Sequence, residues 1–148
     1  MNGMAKCSVA FATILFLSAC TAESDSTDTE TTDDPLTGIE WRWVEFQGMD
    51  DTNLTISNPE NYLLTLLADG SVQLKADCNQ AAGSYTRDGS QLTIELGPMT
   101  MAACPPESNA DKYVADLGYV RSFVMEDGEL FLALMMDGGI MRFSPAQD

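Results

Sequence analysis

The 148-residue chain carries 23 acidic and 7 basic side chains and a formal charge of −16. That balance excludes nucleic acid and anionic lipid surfaces as electrostatic partners, because both are held by basic groups that release condensed counterions. Histidine is absent altogether, which removes the commonest general base and metal ligand, and the length suits one domain beside a leader and a polar segment.

Taken from the N-terminus, Lys6 precedes an apolar run from Val9 to Leu17 and then Ser18-Ala19-Cys20. A charged start, a short apolar stretch and a small-residue cleavage site predict a signal peptide over 1–19. The run is too short to span a bilayer. Leu17-Ser18-Ala19-Cys20 resembles the lipobox of bacterial lipoproteins, which implies that Cys20 is lipidated and tethers the chain to a membrane. Several acyl chains on one residue hold stably where a single chain binds reversibly. Thr21 stands where an Asp would retain such a lipoprotein in the inner membrane, so the resemblance implies an outer membrane, with the chain facing the periplasm.

Residues 20–35 read as the lipidated cysteine and an acidic tether of Thr, Ser, Asp and Glu. Such a segment buries too little apolar surface to offset its ordering entropy and is expected to stay disordered. Its carboxylates, Asp25, Asp28, Glu30, Asp33 and Asp34, lack the Gly-centred loop and distal Glu of a calcium-binding hand. They are expected to act as a solvated spacer, and no metal or other cofactor is expected anywhere in the chain.

The folded part is expected over 36–145. Trp41 to Phe46 has the aromatic and β-branched enrichment of a strand, with Trp41 and Trp43 on one face. A loop from Gly48 to Asn61 holds a short strand at Leu54 to Ile56 and is broken at Asn58-Pro59. Alternating apolar runs then flank Asp69-Gly70, Asp88-Gly89, Asp127-Gly128 and Asp137-Gly138-Gly139, which are hairpin signals because these turn residues tolerate positive φ. Hairpin after hairpin predicts a mainly β fold: an antiparallel meander forming a barrel-like or strongly curved sheet. One segment breaks the period. After Pro105-Pro106, Tyr113, Val114 and Leu117 fall at helical spacing, predicting one helix over 108–119 packed on the sheet.

Of four cysteines, Cys7 lies in the leader and Cys20 in the lipobox, which leaves Cys78 and Cys104 for the domain. An exported domain with two cysteines is expected to pair them, since its compartment is oxidising. Closing that loop contributes roughly 3.5 kcal/mol in the chain-entropy account. A redox role would call for closer spacing and a thiolate-stabilising neighbour.

Leu36-x-Gly38-x-x-Trp41-x-Trp43, Asp69-Gly70-x-Val72, Cys78-Asn79 with Gly83-x-Tyr85, Leu92-x-Ile94, Thr100, Cys104, Leu130-x-Leu132 and Phe143 follow in order along the chain. This pattern resembles the META domain of HslJ-type heat-shock proteins. Asp77 stands where that family has Gly before Cys-Asn, and Ala102 occupies the Met position of its Thr-x-Met-Ala-Cys, with Met101 beside it. The resemblance implies a compact antiparallel domain with a helix, exported or lipid-anchored, associated with heat shock and antibiotic tolerance, without established catalytic residues. It also implies a fold similar to the lipid-binding pilot proteins of secretion systems.

The residues themselves offer no enzyme. A Ser-His-Asp or Cys-His arrangement cannot be built without histidine, no phosphate-binding Gly-rich loop occurs, and the remaining cysteines are too far apart for a zinc motif. Glu45, Glu95, Glu126 and Glu129 alternate with apolar residues, as a solvated outer face would. Trp41, Trp43, Met101, Met125, Met135 and Met141, with Met99 and Met136, suit either the core or an apolar groove for an acyl chain or peptide, since thioethers fit both. The expectation is a non-enzymatic envelope protein, with two alternatives beside it: a binder of lipid or another hydrophobic ligand, and a pilot-like module docking an envelope protein through a sheet edge.

Overall fold

The computed structural model describes residues 34–146; the expected signal peptide, Cys20 and the tether up to residue 33 lie outside the described residues. In chain order the elements are β1 (Glu40–Gln47), β2 (Asn53–Thr55), a 3-10 turn (Pro59–Asn61), β3 (Tyr62–Leu66), β4 (Ser71–Ala76), β5 (Asn79–Asp88), β6 (Gln91–Met99), α1 (Ala110–Gly118), β7 (Val120–Glu126), β8 (Glu129–Leu134) and β9 (Ile140–Pro145). The strands form one antiparallel sheet in the order β2-β1-β3-β4-β5-β6-β7-β8-β9, and β9 pairs back on β1. The sheet therefore closes into a ring.

β1 carries the closure, with β9 along one side and β3 then β2 along the other. Trp41 and Trp43 are buried, and strict alternation would bury Glu45 next. Instead the register with β9 shifts between Trp43 and Glu45. This bulge adds one residue to β1, so the phase flips: Glu45 stays on the outside and Phe46 turns inward.

Hairpins close where expected at Asp69-Gly70, Asp88-Gly89 and Asp127-Gly128, with φ of +85° at Gly70, +58° at Gly89 and +80° at Gly128. The fourth turn also lies where expected, between Leu134 and Ile140. Met136 (φ +54°), Asp137 (φ +55°) and Gly139 (φ +114°) take its positive-φ positions, and the Gly138 N–H donates to the Met135 carbonyl at 3.1 Å.

The weakest seam of the ring lies between β6 and β7, which are paired at Gln91 and Ser122, with the Phe123 N–H donating to the Ser90 carbonyl at 2.9 Å. α1 connects these two strands and packs against β6 and β4, over the mouth where β1, β4, β6 and β8 end. It falls within the expected segment 108–119, with Asn109 at its N-cap and Tyr119 at its C-cap. The Ser108 hydroxyl accepts from the Ala110 N–H at 3.2 Å and the Tyr62 phenol accepts from the Asn109 N–H at 2.9 Å, satisfying two of the orphan donors at a helix start. The opposite mouth is covered by the entering chain: Leu36 is fully buried, its carbonyl accepts from the Trp41 indole at 3.1 Å, and the Gly38 N–H donates to Leu66.

Ala110, Tyr113 and Leu117 form the buried stripe of α1. Tyr113 stacks on Trp43 at 5.0 Å between ring centroids, meets Tyr62 edge-on at 5.6 Å and touches Phe143 at 6.2 Å. All four rings are buried. Aromatic pairs of this kind contribute about 0.5–1.5 kcal/mol each beyond the area they remove from water. The Tyr113 hydroxyl has no hydrogen-bond partner among the described residues, and burial pushes its phenol well above the usual tyrosine range. An unpaired buried hydroxyl costs about 1–3 kcal/mol. Tyr113→Phe is therefore expected to leave the domain as stable or about 1 kcal/mol more stable in urea unfolding, whereas Tyr113→Ala loses about 3–5 kcal/mol.

On the outer face Arg142 of β9 joins its neighbours on both sides. Its guanidinium lies 2.7 Å from Glu45 on β1 and 2.9 Å from Glu129 on β8. The hydrogen bond from Arg142, with a second from Gln47, holds the Glu45 carboxyl below the usual glutamate range. A depressed carboxylate contributes stability above the unfolded-state value, lost as pH falls through the folded one. All three side chains are partly solvated, so screening keeps the contribution near 1 kcal/mol. Arg142→Gln is expected to lower stability at neutral pH by about that amount and to flatten its decline on acidification, as read by urea midpoints across pH. Glu95 and Glu126 are exposed.

Candidate functional site

The mouth closed by α1 gathers the motifs that stand out in the sequence. Cys78, in the β4–β5 turn, forms a disulfide with Cys104, in the loop between β6 and α1; their Cα atoms are 5.4 Å apart across a sequence separation of 26. The bond ties the middle hairpin to the loop leading into the helix. Asp77, just before it, has φ +56°. Besides Gly, Asp is among the few residues that adopt this left-handed backbone.

Asn79 is the hub of this junction, and it is the buried polar side chain of the described core. Its amide donates to the Ala102 carbonyl at 3.1 Å, and its side-chain oxygen accepts from the Ala102 N–H at 2.7 Å and the Thr100 hydroxyl at 3.1 Å. Both cysteine sulfurs lie 3.4 Å from the same amide nitrogen. The Thr100 hydroxyl in turn accepts from the Gln80 N–H at 2.9 Å. The sequence marks Asn79 and Thr100 as motif residues without revealing that they bind each other. Their fixed place beside two paired cysteines was the available signal. Gly83 has a separate reason: at the bulge between β5 and β6, a Cβ there would lie 2.9 Å from the Leu96 Cα and collide with the Glu95 backbone.

The residues expected to serve as core or groove separate. Trp41, Trp43 and Met141 are fully buried inside the ring, at 1 %, 0 % and 0 % exposure. Met125 and Met135 are half-buried, and Met125 packs against the core from its edge. Met101 projects into solvent at 87 % exposure beside the disulfide. They line no common groove.

Three clefts open at this end among the described residues, and two of them are larger than the third, of about 180 Å³. One of about 360 Å³ runs along the disulfide loop past Met99, Met101 and Asp111. The other, of about 550 Å³, is walled by Phe46, Met49, Asp50, Lys112, Asp137 and Gly138, contributed by α1 and the loops after β1 and β8. Over it the Lys112 ammonium sits 3.5 Å from the Phe46 ring centroid and pairs with Asp116 at 2.8 Å. Hydrogen bonds from Thr52 hold the Asp50 carboxyl below the usual aspartate range. Among the described residues no three His, Cys, Asp or Glu side chains gather to hold a metal ion.

The sequence was compared with family models, and that of the META domain matches residues 34–148. The chain belongs to the META domain family. No curated protein matches it in sequence. Among solved structures, the META domain is similar to a protein from Burkholderia xenovorans (20 % identity, 76 % of this chain and 85 % of that one, TM-score 0.60). It is also similar to a DUF4847 family protein from Bacteroides vulgatus (16 % identity, 79 % and 99 % covered, TM-score 0.56). A weaker likeness is to a lipocalin-like protein from Bacteroides uniformis (22 % identity, 74 % and 97 % covered, TM-score 0.48). At these identities the likeness establishes the fold.

The META domain's disulfide and its Asn79 junction act on the same loop. Replacing both Cys78 and Cys104 by Ser is expected to lower unfolding stability by about 3–4 kcal/mol. Asn79→Ala, which leaves the Ala102 and Thr100 donors unsatisfied, is expected to cost about 2 kcal/mol with the disulfide intact. Denaturant unfolding with and without reductant separates the two contributions.

Proposed function

We propose that this protein is a lipid-anchored, non-enzymatic component of the cell envelope, held at the outer membrane through Cys20, whose META domain docks another envelope protein during envelope maintenance or stress. The observation that carries the docking part is the filled interior. Trp41, Trp43, Tyr113 and Phe143 occupy the ring with at most 1 % exposure, so an acyl chain entering it would have to displace the aromatic cluster that seats α1. Recognition is thereby left to the outer surface and the clefts at its rim. The leader, with Lys6, the apolar run and Leu17-Ser18-Ala19-Cys20, supports the anchor, and family membership over residues 34–148 supports the envelope role.

Crosslinking in intact cells tests this reading. A reproducible adduct with one envelope protein is expected, lost together with membrane association when Cys20→Ala leaves the chain unanchored. Recovery of the monomer alone, or of a noncovalent lipid retained by the purified chain in mass spectrometry, would overturn docking in favour of a ligand carrier.

A further inference from the structure

Large exposed hydrophobic side chains are unevenly distributed over the described surface. Met49 (68 %), Met136 (80 %), Tyr119 and Ile140 all lie at the α1 end of the ring. Backbone pairing brings them together: Ile140 pairs with Gln47 at the end of β1, and the Met135 N–H donates to the Tyr119 carbonyl at 2.8 Å. Met49 lines the cleft of about 550 Å³ walled by Phe46 and Lys112, and Met136 adjoins its wall residue Asp137. Clustered apolar side chains rimmed by charge mark interaction surfaces, whereas single ones do not.

One of the loops that carry these residues is held in a costly conformation. Asp51 and Asp137 have φ of +64° and +55°, which Asp adopts readily, but Met136 takes φ +54°, a region that costs such a side chain about 1–2 kcal/mol. That strain presents a thioether to water at 80 % exposure, and strain of this kind gathers at binding loops.

Charge decides the occupant. Asp50, Asp51 and Asp137 line or flank the cleft, while the one cation there, Lys112, is already engaged by Asp116 and the Phe46 ring. A second copy of the chain, itself at −16, would be repelled. The chain's own N-terminal segment is equally unsuited, since residues 21–33 carry carboxylates and no base.

We propose that the α1 end of the META domain is a docking surface for a basic amphipathic segment of a partner protein. Its apolar side chains contact Met49, Met136, Tyr119 and Ile140, and its Lys or Arg side chains meet Asp50, Asp51 and Asp137. This rests on the docking reading above and gives it a location and a partner chemistry.

The test titrates the full chain with a synthetic amphipathic peptide of Leu and Lys, and with its counterpart carrying Glu for Lys, by calorimetry. The Lys peptide is expected to bind and the Glu peptide not to bind. Asp50→Asn with Asp137→Asn should weaken the Lys peptide at least about tenfold, as should Met49→Ser with Met136→Ser. Asp88→Asn with Glu126→Gln removes the same charge at the far mouth, where both side chains are exposed, and should leave affinity unchanged. Equal loss from both charge pairs would mean that only net charge is recognised and would overturn the proposal, as would indifference to the methionine changes. Crosslinks formed in intact cells that map to another face would also overturn this surface while leaving docking intact, whereas the absence of any protein adduct removes docking itself.

Discussion

The seating of Tyr113 is the interaction on which the rest of the structure depends. An antiparallel ring of this size has to be filled and its edges have to be covered, and here β6 and β7 barely meet. The helix that joins them packs along β6 and inserts Tyr113 between Trp43, Tyr62 and Phe143. One side chain thus completes the core and holds in place the element that covers the seam. The Tyr62 phenol adds to this by accepting from the helix's first turn, so the cluster fixes both the position and the start of α1. The disulfide and Asn79 act one step upstream: they fix the loop from Thr100 to Cys104, which sets where the helix begins and limits how far it can swing from the mouth.

The bulge in β1 has a comparable reach. Without the extra residue near Val44, Glu45 would face the aromatic interior and Phe46 the solvent. With it, Glu45 meets Arg142, which also holds Glu129, so three strands at the closure are linked on the outside while Phe46 reaches the α1 mouth. There its ring forms the floor of the cleft beneath Lys112. The step that satisfies the core thereby also shapes the rim.

What was legible in the sequence follows from how local each signal is. The three Asp-Gly hairpins, the period-two strands and the helical spacing of Tyr113, Val114 and Leu117 depend on neighbours a few residues away, and all appear in the structure where expected. The two domain cysteines could be paired by elimination. The closing partner of β1 could not be named, because β9 lies about a hundred residues along and its register depends on a bulge that alternation hides. The turn after β8 falls at Asp137-Gly138-Gly139, but that Met136 shares its positive-φ positions with Asp137 and Gly139 leaves no trace in the sequence pattern. The Asn79 junction escaped because it links two loops through side chains, with no periodic trace. The split among the methionines was equally hidden, since Met141 and Met101 differ in sequence far less than in exposure.

These features divide the molecule into two kinds of surface. The mouth where the chain enters is made of Asp-Gly turns whose geometry suits their residues, and Leu36 seals it. The α1 mouth holds the disulfide, the buried Asn79 and, at Met136, the one left-handed position among the described residues taken by neither Gly nor Asp. Strain of this kind persists only where surrounding structure over-determines it, and the aromatic cluster with the Cys78–Cys104 staple supplies that rigidity from directly beneath. A selection for stability alone would replace Met136 with Asn or Gly, since either relieves the backbone and removes an exposed apolar side chain. That the residue stands there, above a rigid base and beside a cleft, is understood most simply if the α1 mouth is shaped by what it contacts rather than by what keeps it folded.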